Sequence, residues 1–135
     1  MLKIESRVGI IKESEEKIYT FLSDFNNFRN LIPENRVKNW ESTADSCNFN
    51  VEGIGPVGLK IIEKEPNKLI KITSVNKKPV PFFVWIQIKE VAEKDSRIKI
   101  TAEVDVNPFM SAMVKGPLKS FVDSLIEQAE KMKFS

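Results

Sequence analysis

Histidine is missing from this sequence altogether. That removes the side chain that most often acts as a general base near neutral pH and most often ligates transition metals, so Ser-His-Asp and Cys-His mechanisms are excluded. There is a single cysteine, Cys47, so no intrachain disulfide can form, which fits a reducing compartment. Without a histidine to activate it, Cys47 reads as a small buried residue rather than a nucleophile. No apolar run nears the roughly 18 residues that a membrane span needs. The opening MLKIESRVGIIKESEE carries charges where a signal peptide needs a continuous apolar stretch, so a cytoplasmic location is expected. An excess of charge of one sign is also lacking. The 21 basic and 19 acidic residues leave +2, which argues against a nucleic-acid partner, and the one dense basic spot, NKK at 76–78, reads as a solvated turn. No residue pattern calls for a metal or a cofactor.

What is present suits one domain over 1–135, long enough to bury roughly two-thirds of its unfolded surface. Residues 2–12 alternate, with Ile4, Ser6, Val8 and Ile10 on one face and Lys3, Glu5 and Arg7 on the other, which predicts a half-buried strand. The period then changes. Ser14 can cap a helix, Glu15 and Glu16 suit the positive end of its dipole, and Ile18, Phe21, Leu22 and Phe25 form one apolar stripe. Ser23 or Asp24 offers a second cap, for a short helix at about 25–31 that Pro33 ends. Strands are expected at about 36–43, 46–52, 56–65, 68–75, 82–92 and 96–106, separated by turn-forming clusters. In the last of them Ile98, Ile100, Ala102, Val104 and Val106 alternate with charged or polar residues, as in an antiparallel sheet with one wet face. The C-terminus is helical, with Leu118, Phe121, Val122, Leu125, Ile126, Ala129 and Met132 in one stripe. Ahead of it, NPFMSAMVKGPLKSF (107–121) is apolar nearly all round in its first half. Pro108 suits a helix start, Gly116 a C-terminal cap and Pro117 a first turn, which predicts two helical pieces with a joint between them.

Few motifs carry chemistry. GIGPVG at 53–58 has the spacing of a dinucleotide-binding turn, but a strand-like LKIIEKEP follows where a helix is required, and Leu59 stands where a phosphate-binding loop needs lysine. It reads as a tight turn in a bent sheet. Glu15/Glu16, Glu63/Glu65 and Glu103/Asp105 are carboxylate pairs, yet none is forced inward, where its pKa would rise to suit acid catalysis. In KKPVPFFVW the face of Phe82, Val84, Ile86 and Ile88 should point inward, leaving Phe83 and Trp85 outside.

The element order predicts an α+β fold in which one antiparallel sheet of seven strands is covered by the terminal helix, with a gap left near the short helices. On SEEKIYTFLSDFNNF after the first strand, the glycine-rich VEGIGPVGLKI at 51–61 and the final long helix, the chain resembles the SRPBCC superfamily of START, birch-pollen-allergen and polyketide-cyclase proteins over nearly its whole length. The resemblance implies the helix-grip fold: a curved seven-stranded antiparallel sheet wrapped around a long C-terminal helix, with two short helices after strand 1. It also implies a cavity for a hydrophobic or amphipathic small molecule, such as a lipid, a quinone or a polyketide-like compound. Candidate ligand-binding walls are Phe28, Leu31, Trp40, Phe49, Leu59, Ile61, Ile72, Ile100, Met110, Met113 and Phe121. Two further readings are a cyclase/dehydratase-like enzyme, relying on cavity shape and a polar group aimed into the pocket, and a protein-interaction module built on Phe83, Trp85 and the proline loop.

Overall fold

The alternation that opens the chain changes face after Ser6. In the computed structural model, which describes residues 1–32, 35, 37–52, 55–75 and 80–134, the expected first strand is two strands. These are β1 (Leu2–Glu5) and β2 (Gly9–Ile11). Then come α1 (Glu15–Leu22), a 3₁₀ helix (Phe25–Asn30), β3 (Val37–Ser42), β4 (Ser46–Val51), β5 (Gly55–Glu65), β6 (Leu69–Ser74), β7 (Phe82–Ala92), β8 (Asp95–Val104) and α2 (Pro108–Lys131). The sheet is antiparallel throughout, in the order β1-β8-β7-β6-β5-β4-β3, with β2 also paired to β8. Ile4 and Ser6 are buried as the alternation requires, but beyond them Gly9 and Ile11 are buried while Val8 and Ile10 are exposed. Long-range hydrogen bonds force the switch. The Ser6 hydroxyl accepts the Ile100 N–H at 2.8 Å and donates to the Arg7 carbonyl at 2.8 Å, while the Arg7 N–H leaves the ladder for the Asp123 carboxylate at 2.7 Å.

The short helices form where the caps place them. Ser14 Oγ accepts from the Lys17 N–H, and Asp24 Oδ1 accepts from the Asn26 N–H. The second helix is 3₁₀ rather than α; Pro33, expected to end it, lies outside the described residues, as does the NKK turn. Together they plug one end of the sheet. Glu15 and Glu90 exchange bonds, each carboxylate accepting the other's N–H at 2.9 and 3.1 Å, and Lys68 closes on Glu15 at 2.7 Å. Ile18, Leu22 and Phe25 pack there against Ile70, Ile98 and Ile126 in the least accessible part of the core.

The terminal helix is one helix. α2 runs unbroken through Gly116 and Pro117, where two pieces were expected. Pro117 leaves the Met113 carbonyl without its intrahelical donor, but this stretch is exposed and nothing lies within 4 Å of a side chain at Gly116, so water can reach the freed carbonyl. Asn107 caps the helix by accepting the Met110 N–H at 2.8 Å, and Pro108 occupies its first turn. The stripe of the second half falls as expected, with Val122, Ile126 and Ala129 buried.

Candidate functional site

The second half of α2 is pinned to the sheet by a knot of charge. Arg7 forks onto both oxygens of Glu130, Nη1 lying 3.2 Å from Oε2, and Glu130 also accepts the Ile10 N–H at 2.9 Å. The Arg7 hydrogen bonds, then that of Ile10, hold the Glu130 carboxyl below its ordinary range. Lys119 donates to the Glu5 carbonyl at 2.8 Å. At Asp123 burial works to raise the pKa, but the Arg7 N–H and the Lys119 ammonium outweigh it and the carboxyl stays low. Gly9 has no side chain, which lets Ile126 settle directly on the strand.

Among the described residues nothing comparable holds the first half. From Lys119, near Glu5, back to Pro108 is eleven residues, about 16 Å of helix. From Glu5 back to Leu2 is three residues of β1, about 10 Å. The apolar side chains of the first turns of α2 stay wet: Phe109 is 75% exposed, Met113 61% and Met110 39%.

α2 begins four residues after β8 ends, beside the end of the sheet where Leu2 pairs with Val104. The register puts Leu2, Val104 and Phe82 side by side there, with the ends of β6, β4 and the starts of β5 and β3 alongside. Val104, which lies under α2, is buried, whereas Leu2, Phe82 and Val84 are only half-buried. Across the sheet Phe49 pairs with Val57 and stacks on Trp40, with centroids 5.2 Å apart and planes 16° apart. Leu59, beside buried Cys47, is half-buried. α2 packs on β1, β2 and β8, so the concave face of β3–β5 meets the helix least. Two recesses among the described residues lie elsewhere: a cleft of about 320 Å³ beside Lys12, Glu13 and Lys133, and one of about 500 Å³ along α2 around Arg7, Lys119 and Asp123. Neither is lined by any of the expected wall residues, and Trp40, Phe49, Leu59 and Val84 pack against the buried core.

The expected wall residues divide by depth. Phe28, Leu31, Ile61, Ile72 and Ile100 are buried in the core; Trp40, Phe49 and Leu59 pack half-buried against it. Phe121 is half-buried on α2, and Met110 and Met113 are exposed at the rim. Phe82, Val84 and Leu118 are half-buried, and Phe109 is exposed. Phe82 and Val84 pair with buried Val104 and Ala102 and so face inward, as their alternation with Phe83 and Trp85 predicts.

Buried polar chemistry is sparse. Among the described residues the buried polar side chains are Ser6, Ser96 and Thr101. Ser96 donates to the Glu13 carbonyl at 2.7 Å, and Thr101 reaches Gln87 at 3.1 Å. Burial pushes the Cys47 thiol up to about 12, so it stays protonated. No group of His, Cys, Asp and Glu among the described residues could hold a metal, and no helix there is long and apolar enough to cross a membrane. Gly53 and Ile54 of GIGPVG lie outside the described residues; Gly55, at φ 110°, opens strand β5 rather than a helix. On the outer face Lys71 Nζ sits 5.0 Å from the Phe83 ring and 5.2 Å from that of Trp85.

No family model matches the sequence, and no curated protein matches it. Solved structures do. A START superfamily protein from Mycobacterium smegmatis superposes with a TM-score of 0.78 at 16% identity, over 96% of this chain and 94% of that one. A norcoclaurine synthase point mutant from Thalictrum flavum, in complex with a transition-state analogue, gives 0.71 at 15%, over 96% and 94%. The Aha1 dimer from Colwellia psychrerythraea gives 0.63 at 22%, over 96% and 97%. The chain has the helix-grip fold, as its sequence resemblance implies.

Proposed function

We propose that the chain binds a hydrophobic or amphipathic small molecule, of the lipid, quinone or polyketide-like kind, between the concave sheet face and the first half of α2. One observation carries the reading: apolar side chains stand incompletely covered on both walls at the same end, Trp40, Phe49, Leu59 and Val84 on the sheet and Phe109, Met110 and Met113 on the helix. Covering three such rim side chains contributes roughly 5–9 kcal/mol. Association costs an amount of similar size. A useful ligand therefore has to reach past the rim to the half-buried wall. The norcoclaurine synthase mutant with its bound analogue supports the view that this fold accommodates a small molecule.

Binding is preferred over cyclase-like turnover because a reaction needs an acid, base or nucleophile at the reacting atoms. The buried hydroxyls here are engaged with the protein and the buried thiol is neutral. The test is native mass spectrometry of the gently purified protein, together with titration of the neutral dye Nile red. The expectation is one bound apolar molecule per chain, and dye binding that weakens about tenfold or more when Phe109 and Met113 are both replaced by serine. Absence of any co-purifying molecule, with dye binding indifferent to those replacements, would refute it.

A further inference from the structure

Four charged side chains form a ladder along one flank of α2. Lys115, Lys119, Asp123 and Glu127 recur at every fourth residue, so they are neighbours on the helix surface. Two cations precede two anions, a pattern that complements itself when read in the opposite direction. Among the described residues Lys115 makes no ion pair, and Glu127 meets Lys131 at 3.2 Å in an exposed pair of the kind that contributes little. Three of the four, with Gly116 and Ser120, line the recess of about 500 Å³ beside Arg7. Exposed apolar side chains stand at both ends of that recess. Met113 precedes Gly116, and Val8 follows Arg7. The Arg7 N–H binds Asp123 and the Ile10 N–H binds Glu130, which places Val8 between those two levels of the helix, near Glu127.

We infer that two copies of this chain pair through this flank, with their α2 helices antiparallel about a twofold axis level with Phe121. The ladder sets the axis. Reversal about residue 121 brings Lys115 opposite Glu127 and Lys119 opposite Asp123, and twofold symmetry makes each contact twice. Lys119 already lies 3.2 Å from its own Asp123, so the four charges nearest the axis alternate in sign. The same reversal carries Met113 to the level of residue 129, beside Val8 of the second copy. The exposed apolar side chains thus cover one another where the charges meet, and methionine adapts to such irregular contacts. Apolar cover supplies the affinity. The charges fix the register and exclude the parallel pairing, in which Lys115 would face Lys115. The ligand reading does not enter: the ladder looks out beside β1 and β2, whereas the ligand lies between the sheet and α2. Met113 is the one side chain the two share.

The test is sedimentation velocity of the whole chain over a concentration series at low salt. The mass should rise from that of one chain toward that of two, and added salt should weaken the association. Lys115→Glu alone and Glu127→Lys alone should each weaken it about tenfold or more, because each sets like charges opposite one another in both contacts. The double variant should regain most of the loss. Within one chain the two positions are twelve residues apart, about 18 Å along the helix and beyond the screening length of about 8 Å, so that recovery reports contact between copies. A spin label on Met113→Cys, mixed with ¹⁵N-labelled parent, should broaden the Val8 amide; Cys47 is buried and escapes the label. A mass of one chain at every concentration, single variants that associate like the parent, a double variant no better than the singles, or broadening confined to the surroundings of Trp85 overturns the inference. Lys115 and Glu127 lie outside the ligand wall, so pairing can fail while dye binding persists, and the reverse.

Discussion

Replacing Gly9 by alanine tests how closely α2 lies on the sheet. A Cβ built there falls 2.6 Å from Ile126 Cγ2 and 2.9 Å from Ile98 Cγ2. Carbon atoms in contact prefer roughly 3.5–4.0 Å, so the overlap approaches 1 Å. Neither neighbour can retreat easily, since Ile126 is 0% and Ile98 2% exposed. Gly9 lies outside the left-handed region, so alanine meets no dihedral penalty and narrows the unfolded ensemble, a gain of about 0.4–1 kcal/mol. Overpacking costs about 1–3 kcal/mol and outweighs that gain. The expected net loss is about 1–2 kcal/mol, read as a lowered urea midpoint at constant slope by far-UV circular dichroism. Ile126→Leu removes the offending Cγ2 branch, so the double variant should be more stable than the summed single effects by at least about 0.5 kcal/mol. A Gly9→Ala protein as stable as its parent, or strict additivity in the double variant, would refute the close approach.

Three further outcomes are expected. Pro117→Ala should stabilise by about 1–3 kcal/mol in urea unfolding, because it restores a hydrogen bond inside a continuous helix; destabilisation would favour the jointed geometry instead. Glu130, Glu15 and Asp95 have folded pKa values depressed chiefly by hydrogen bonds from Arg7, Lys68 and Arg97. Their contribution is present above the ordinary carboxylate range and is lost as pH falls through the lower folded values, so urea midpoints should drop below about pH 4, and Glu130→Gln should flatten that drop. The Cys47 thiol moves from 9.0 to about 12 on burial, so the stability it contributes is full below pH 9 and lost toward 12. Cys47→Ala should start less stable through its cavity, and its deficit should narrow as the pH is raised from 9 to 11.

The parts of the fold legible in the sequence are those governed by local period. The alternation of β8 and the second-half stripe of α2 each face one core, so their apolar spacing reports burial directly. The face switch after Ser6 is invisible in that spacing, because the groups that cause it, Ile100, Asp123 and Glu130, lie about a hundred residues away. At Gly116–Pro117 the local signals favour a joint, and docking of α2 at Lys119 and beyond prevails over them. The wall residues show why the site was harder. Leu59 and Ile61 are both aliphatic and two apart on one strand, yet only Ile61 is buried, a difference set by tertiary neighbours that spacing along the strand does not report. The β3–β4 register slips by a bulge between Lys38 and Glu41, and it did leave a trace: Val37 and Trp40 are three residues apart, an odd spacing for two half-buried residues on one strand.

That bulge has a second consequence. β3 ends the strand order, so its outer backbone groups are available to pair with another chain, a known route to aggregation. The left-handed Asn39, with Lys38 and Glu41 exposed on either side of the register slip, spoils the straight row of donors and acceptors that such pairing requires. The irregularity that sets the Trp40 indole on Phe49 thus also interrupts the edge along which the sheet could grow past its last strand.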